Sequence, residues 1–573
     1  MRMIFRYLKP YRVRMLIGFC IKVMGTVVEL LLPFILSHIL KNVVVAQSVP
    51  AILRWGALMV ICAFVACLCN IVANRMAARV TSNFSRHMRK DLFSRTLYLS
   101  AAQTDKFTIP SLESRITTDT YHVHNFIGMM QRMGVRAPIL LIGGIAITLF
   151  MDTYLALVMI AMLPIIFVTV YLISRKGVPL YAKVQSSVDG MIRVVREDVQ
   201  GIRVIKALSK NDYENRRYDA VNRALVNDET RAGTIMGVVN PIMTLFMNCG
   251  ITAVVAMSAS RVEGHRSDPE TVIAFMQYFT LISMAMMSVS RIFVMYTKCA
   301  ASARRIAEVM DAPVDLSVKE PSEAAKTNCA KIVFENVSFS YTGKHRHLRE
   351  LDFSLPRGGS LGIIGATGSG KSTLIKLLLR FYDVTEGRIL IDGRDVRTLG
   401  RDELSRIFGV ALQNDFLYAD TVEENIRFGR ELDSDAVRRA AKIAQADDFI
   451  ASFADGYGHM LSQKGTNLSG GQKQRLLIAR AIAGSPEILI LDDSSSALDY
   501  KTDANLRAAL RTELTDTTVV TVAQRVSSVK DCDLILVLEN GCVIGKGTHE
   551  ELLRDCTVYR EISDSQMGGA FVE

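Results

Sequence analysis

The stretch Gly365-Ala-Thr-Gly-Ser-Gly-Lys371-Ser372-Thr373 lies between an apolar run, Leu361–Ile364, and a helix-like segment, Leu374–Arg380. A glycine-rich loop between a strand and a helix aims successive backbone N–H groups and a helix N-terminus at one point, which suits phosphate. Gly365, Gly368, Ser369 and Gly370 form the loop, and Thr373 closes the motif. Lys371 is placed to reach the β- and γ-phosphates, and the Ser372 hydroxyl to meet Mg²⁺. Ile488-Leu-Ile-Leu-Asp492-Asp493 is a second such element, an apolar strand ending in two acids. Together they predict a nucleoside triphosphate held with Mg²⁺.

These motifs need an α/β framework, and the C-terminal part of the chain has one. Strand-like runs recur at Ile332–Phe334, Leu361–Ile364 and Ile488–Leu491. Before them, a Pro-, Lys- and Glu-containing stretch at 311–328 reads as a solvated linker. The expected division is a membrane domain at 1–310, the linker at 311–328 and a nucleotide-binding domain at 329–573.

The first part is of a different kind. Half of the 573 residues are hydrophobic, and the mean hydropathy is +0.23. Apolar runs at about 14–40, 52–77, 133–151, 154–174, 236–260 and 271–297 are each near the roughly 20 residues that cross a bilayer as helix. The third has Arg136 and Pro138 near its start. Short links (41–51, 152–153, 261–270) alternate with two long ones rich in Lys and Arg. Arg2, Arg6, Lys9, Arg12 and Arg14 precede the first span. The positive-inside rule therefore places the termini and both long links in the cytoplasm. The net charge of +11 is explained by this topology, and a nucleic-acid role is set aside. The first apolar run is too long for a signal peptide and reads as an uncleaved helix. The long links mix charge and apolar residues at helical spacing (85–99, 188–205), as extensions of the spans do. Pro110 marks a helix-to-helix turn. Ten scattered cysteines are expected to be buried thiols in a reducing compartment.

Leu468-Ser469-Gly470-Gly471-Gln472, shortly before the acidic strand end, resembles the signature motif of the ATP-binding cassette (ABC) family. Six spans followed by one cassette resemble an exporter-type half-transporter. The resemblance implies a six-helix transmembrane domain with long cytoplasmic helical extensions, then a P-loop α/β domain, and an ATPase coupled to transport. It also assigns roles. Tyr341 matches the aromatic residue that stacks on adenine, with a core tyrosine as the alternative. Gln413 matches the glutamine near Mg²⁺ and the attacking water, and Asp492 the Mg²⁺-associated acid. Ser496 to Asp499 matches the loop at the cassette dimer interface. In this family each ATP lies between one chain's Lys371-type loop and the other chain's signature.

Two positions depart from the family pattern. Asp493 stands where a glutamate orients the attacking water, and its side chain is one methylene shorter. Gln524, in Val520-Thr-Val-Ala-Gln-Arg525, stands where a histidine contacts the γ-phosphate. A positioned acid–base group is worth roughly 10²–10⁴-fold in rate. Asp493, Gln524 and Gln413 thus form a slow catalytic set beside an intact signature. This pattern resembles the degenerate-site subunit of bacterial heterodimeric multidrug exporters. The implied partner is a second, non-identical half-transporter, and the implied location a bacterial inner (plasma) membrane. A homodimer in which Asp493 and Gln524 suffice is one alternative. A siderophore importer on the same fold and a non-transporting regulatory subunit are others. A third departure is Leu461-Ser-Gln-Lys-Gly-Thr-Asn467, which lacks the acid that many exporters have before the glycine.

Within the spans, Lys22 and Glu29 lie seven apart on one side of the first helix. Membrane-embedded charges mark a pathway or a structural pair. The last two spans are rich in methionine, Met284 and Met287 among them. A flexible lining for amphipathic cargo such as drugs or lipids is one reading, and lipid-facing packing the other. The expected transmission contacts are near 101–113 and 209–218.

Overall fold

Apolar runs continued by amphipathic polar ones fold here as helices much longer than a bilayer requires. The computed structural model of the chain describes residues 2–263, 269–320, 330–413, 416–494 and 496–567. The expected 261–270 link and 311–328 linker lie partly outside these residues, and Cys329 wholly so. The chain divides into two compact units, one of Met1–Tyr98 with Ile109–Ala312, the other of Leu99–Thr108 with Pro313–Glu573.

In the first unit, six helical segments among the described residues are long and apolar enough to cross a membrane. They are Met3–Val44, Val49–Leu97, Ile109–Met151, Thr153–Gln200, Asn211–Ala259 and Val272–Met310. Val49–Leu97 alone has 49 residues, about 74 Å at 1.5 Å per residue, so its charged second half stands outside the hydrocarbon. The sixth segment is the most central, with 44% of its apolar stretch buried against 17–22% for the others. Its Tyr278 is fully buried and donates to the Leu30 carbonyl at 2.6 Å. Phe279 and Ile282 join Leu30, Leu140 and Met159 in the bundle core. Pro138 sits inside its helix without ending it. The turn expected at Pro110 falls two residues earlier, at Thr108 with φ +62°. Pro110 lies in the first turn of Ile109–Ser114, where its missing N–H costs nothing.

The described cysteines are free, but Cys20, Cys67 and Cys249 are exposed on this chain, which corrects the expectation that all are buried. They lie on apolar helices whose outer faces need no interior partner.

Two sheets build the second unit. Strands β1 (Ala330–Phe339), β2 (Leu348–Pro356), β4 (Glu386–Ile391) and β5 (Arg394–Asp395) form an antiparallel sheet in the order β2-β1-β4-β5. The second sheet contains β3 (Ser360–Gly365), β6 (Phe408–Ala411), β7 (Ile488–Asp492), β8 (Thr518–Val522), β9 (Leu534–Glu539) and β10 (Cys542–Gly547). Its order is β10-β9-β3-β8-β7-β6, parallel except for β10. All five residues of β7 are buried, as expected of a strand covered on both faces. Such a sheet presents the C-terminal ends of its parallel strands together, and ligands bind outside those ends.

Candidate functional site

Four of the nucleotide-site elements follow the C-terminal end of a strand in that one sheet. The glycine-rich loop leaves β3, Gln413 lies beyond β6, Asp492 ends β7 and Gln524 lies beyond β8. Only glycine fits two loop positions. A Cβ on Gly365 would sit 2.2 Å from the Leu538 carbonyl oxygen, and Gly370 is left-handed at φ +107°. Gly370 caps the helix Lys371–Leu378, so the first helical N–H groups face the loop. Ser369 Oγ is buried with no hydrogen-bond partner among the described residues, an orphaned group that a phosphate oxygen would satisfy.

Lys371 Nζ donates to the carbonyls of Gly365 and Ala366, both at 2.8 Å. Burial lowers its pKa, opposed by the charges of Asp492 and Asp493. Asp492 is pushed up by burial and by Asp493, against Lys371 and Lys376. The donors of Ser372, Gln413 and Asp492 are all oxygen in their metal-binding form, a set that fits hard Mg²⁺ with phosphate and water completing the shell.

Asp493 is held tightly. Its backbone is left-handed at φ +51°, a region Asp tolerates better than most residues. Its N–H donates to Val522 O at 2.9 Å, and Ser496 Oγ donates to its carbonyl at 2.9 Å. Its Oδ2 accepts from Gln413 Nε2 at 3.1 Å and from Gln524 Nε2 at 3.2 Å. The two residues that depart from the family pattern are therefore bonded to one another. Burial raises the Asp493 carboxyl above its ordinary range, opposed by Gln413, Lys371, Arg525 and Gln524.

The signature is a helix start. Ser469 and Gln472 form a capping box on Gly470–Ile482, with Gln472 N donating to Ser469 Oγ at 3.3 Å and Ser469 N to Gln472 Oε1 at 2.9 Å. This leaves Gly470 and Gly471 in the first turn, where free N–H groups and the helix dipole suit an anion. Leu468 packs beneath, against a core that includes Leu498. Asp499 caps the next helix, accepting from Thr502 N at 2.9 Å.

Tyr341 is 38% exposed, not the buried core tyrosine of the alternative reading. Phe339, His347 and Tyr382 meet it edge-on with ring centroids at 4.8, 4.9 and 5.1 Å. Its hydroxyl lies 3.3 Å from Thr373 Oγ1. Tyr382 has no motif to announce it. Its hydroxyl donates to Asp105 Oδ2 at 2.5 Å, and burial together with Asp105 holds the phenol well above its ordinary pKa. Asp105 lies on the short helix Ala101–Phe107, which belongs to this unit. Ser100 Oγ donates to Asp315 Oδ2 and Gln103 Nε2 to Pro313 O, each at 2.6 Å. Tyr382→Phe is expected to weaken the docking of this helix by about 1.5–3 kcal/mol, the range for a hydrogen bond to a charged group. Faster amide exchange over 101–107, with nucleotide affinity unchanged, is the expected readout. Unchanged exchange would mean that the bond does not hold the helix.

The membrane-embedded charges find partners in the first unit. Lys22 is 4% exposed and donates to Asn70 Oδ1 at 2.7 Å and Asn74 Oδ1 at 3.1 Å. Glu29 pairs with Arg136, whose Nε donates to Glu29 Oε2 at 3.1 Å. Lys22 and Glu29 are not bonded to one another; each ties the first helix to a different neighbour. Met284 is 56% exposed, while Met287 packs partly against the bundle core. Glu29→Gln or Arg136→Gln alone strands a charge in a low-dielectric setting, whereas the double change strands none. A coupling of about 0.5–3 kcal/mol is expected from thermal unfolding of the full chain in detergent. Additive losses would show that the pair does not join the helices.

Comparison with known proteins agrees with this geometry. The family model for the ABC transporter transmembrane region matches residues 15–286, and that for the ABC transporter cassette matches 348–496. An uncharacterized ABC transporter ATP-binding protein of Mycobacterium tuberculosis is 32% identical, over 99% of this chain and 98% of the relative. The uncharacterized ABC transporter ATP-binding protein YfiB of Bacillus subtilis is 33% identical over 98% of each. The structure of a bacterial Atm1-family ABC exporter with ATP bound superposes with TM-score 0.80 at 25% identity, covering 97% of this chain and 98% of that one. A helical bundle of six candidate spans and a P-loop cassette, each matched by its own family model, make this chain a member of the ABC transporter family, an exporter-type half-transporter whose cassette is an ATPase coupled to transport.

Proposed function

We propose that this chain is one half of an asymmetric, heterodimeric exporter in a bacterial cytoplasmic membrane. In this reading residues 1–310 form the transmembrane domain, 311–328 the linker and 329–573 the cytoplasmic cassette. The chain contributes a slow ATP site of its own and a competent signature to its partner's site. The bond between Gln524 Nε2 and Asp493 Oδ2 carries the proposal. The short acid is held by two neutral amides, and the amide that replaces histidine is engaged in holding it.

At this chain's own site, Tyr341 stacks the adenine, the loop N–H groups and Lys371 hold the phosphates, and Ser369 Oγ gains a phosphate partner. Mg²⁺ at Ser372, Gln413 and Asp492 supplies neutralisation of phosphate charge when bound. Asp493 and Gln413 position water, with Asp493 short of the optimum. At the partner's site, the first turn of the Gly470–Ile482 helix receives the γ-phosphate. Nucleotide-driven closure is transmitted to the spans near 101–113 and near 209–218. The spans alternate access to the two sides. Amphipathic cargo is supported by the exposed methionine at Met284 and the half-buried Met287 on the sixth helix.

The raised pKa of Asp493 favours a second reading, a homodimer with two working, slower sites. Affinity purification of the tagged chain from its native cells separates the two. An equal amount of one different half-transporter, with photolabelled ATP retained on this chain after the other has turned over, supports the heterodimer. Recovery of this chain with itself alone, hydrolysing ATP rapidly, would sink it.

A further inference from the structure

We propose that the N-terminal end of the membrane unit holds one anionic phospholipid of the cytoplasmic leaflet. A cavity of about 820 Å³ opens there, within the roughly 300–1,000 Å³ of small-molecule sites. Arg6, Lys9, Arg12 and Arg14 line one part of it. They come from three consecutive pieces, the helix Arg2–Leu8, the turn Lys9–Tyr11 and the helix Arg12–His38. Among the described residues, no acidic one lines the cavity. Asp91, an acid near this segment, already accepts from Tyr7 at 2.8 Å. That bond, with Tyr11 and His87 at 2.9 Å, pins the basic segment against the second helix.

Apart from Gln131, the rest of the lining is apolar, with Met15, Phe19, Met130 and Val135 among its residues. Phe5, Leu16 and Phe19 are 70%, 62% and 48% exposed, so apolar surface continues outward from the cavity. Arg12 and Phe19 lie seven residues apart on one helix, about 10 Å, the step from headgroup to upper acyl chain. Gln131 also lines the cavity, and its Nε2 has no hydrogen-bond partner among the described residues. Fixed cations, a spare amide donor and an adjoining apolar wall match a phosphodiester headgroup with its chains. Basic pockets between cytoplasmic helix ends bind such headgroups. The leaflet, though not the lipid, rests on the reading that the N-terminus is cytoplasmic.

The test is native mass spectrometry of the full-length transporter in detergent, titrated with dioleoyl phosphatidylglycerol or dioleoyl phosphatidylcholine. One retained phosphatidylglycerol per copy of this chain is expected, in preference to phosphatidylcholine. Arg6→Gln/Lys9→Gln/Arg12→Gln should weaken retention by about 100-fold, since each basic residue near an anionic surface is worth roughly fivefold. Gly18→Leu tests the site without altering charge. Gly18 lines the cavity, and a Cβ there meets nothing closer than Met76 Cβ at 3.7 Å, an ordinary contact, so a side chain can start there without a clash at its first atom and take up cavity volume. Loss of retention with normal size-exclusion behaviour and ATP binding supports the site. Equal retention of both lipids, or retention unchanged in both variants, overturns it. So does an Arg175→Gln/Lys176→Gln control that loses as much as the triple variant. Displacement of the lipid by millimolar glycerol 1-phosphate would identify a free-anion site and overturn the lipid. Accessibility of an N-terminal tag only from outside the cell would overturn the leaflet and leave lipid retention standing.

Discussion

Gly470→Asp in the assembled transporter is expected to lower ATP turnover by about 10²–10³-fold, the size of effect that follows when one preorganised donor to developing negative charge is lost. Gly470 is exposed at the first position of its helix. A Cβ there meets Ala497 Cβ at 3.8 Å, an ordinary contact, so the substitution introduces no clash. A carboxylate in the first helical turn is itself favourable by about 0.3–1 kcal/mol, and the cassette should keep its stability. The harm is confined to what approaches that helix end, where the new charge opposes a phosphate. In the proposed head-to-tail arrangement this signature serves the partner's ATP, so labelling of this chain by photoreactive ATP should be unchanged. Lys371→Ala should do the reverse, abolishing labelling of this chain while reducing turnover less than Gly470→Asp does. Steady-state hydrolysis and photolabelling of both variants decide the matter. If Lys371→Ala stops turnover as completely as Gly470→Asp, the two sites are equivalent and the asymmetry is wrong.

The contrast between these sites was legible in the chain because phosphate chemistry demands contiguous residues. A loop that wraps phosphate must be glycine-rich over a few successive positions, and the helix that follows must begin at once, so Gly365–Thr373 and Leu468–Gln472 announce themselves. Six candidate spans were legible for a similar reason, since a helix in hydrocarbon leaves a long uninterrupted apolar run. Sheet order was not, because β3 lies between β8 and β9 through pairings more than 150 residues apart. Nor were the partners of the charged residues. Lys22 meets Asn70 and Asn74, and Glu29 meets Arg136, across helix faces whose rotation is set by packing in the bundle. Tyr382 and Asp105 carry no pattern at all, being one tyrosine and one aspartate separated by 277 positions. What sequence could not supply at the catalytic centre was the contact between its two departures. Asp493 and Gln524 are 31 positions apart and follow adjacent strands, β7 and β8, so their proximity depends on sheet order.

That contact leads to the second large effect. Asp493→Glu combined with Gln524→His should raise hydrolysis at this chain's own site by about 10²-fold, near the lower end of the 10²–10⁴ attributed to a positioned acid–base group. The added methylene extends the carboxylate toward the attacking water, and the imidazole replaces a neutral amide with a group that can carry positive charge near the γ-phosphate. One term works against the gain. The backbone at position 493 is left-handed, and glutamate tolerates that region less well than aspartate, which is why the upper end of the range is not expected. Either change alone should give much less than half of the combined effect on a logarithmic scale. Asp493→Glu by itself leaves Gln524 donating to the carboxylate, and Gln524→His by itself leaves the acid short. Side chains in contact couple in this way, by about 0.5–3 kcal/mol. The measurement is cleanest in a Gly470→Asp background, where the other site is slowed by about 10²–10³-fold and a gain at this one stands out. A gain below about threefold in the combined variant would mean that chemistry at this site is limited elsewhere, by closure of the cassettes or by release of product. Asp493 and Gln524 would then be tolerated substitutions, not the cause of a slow site.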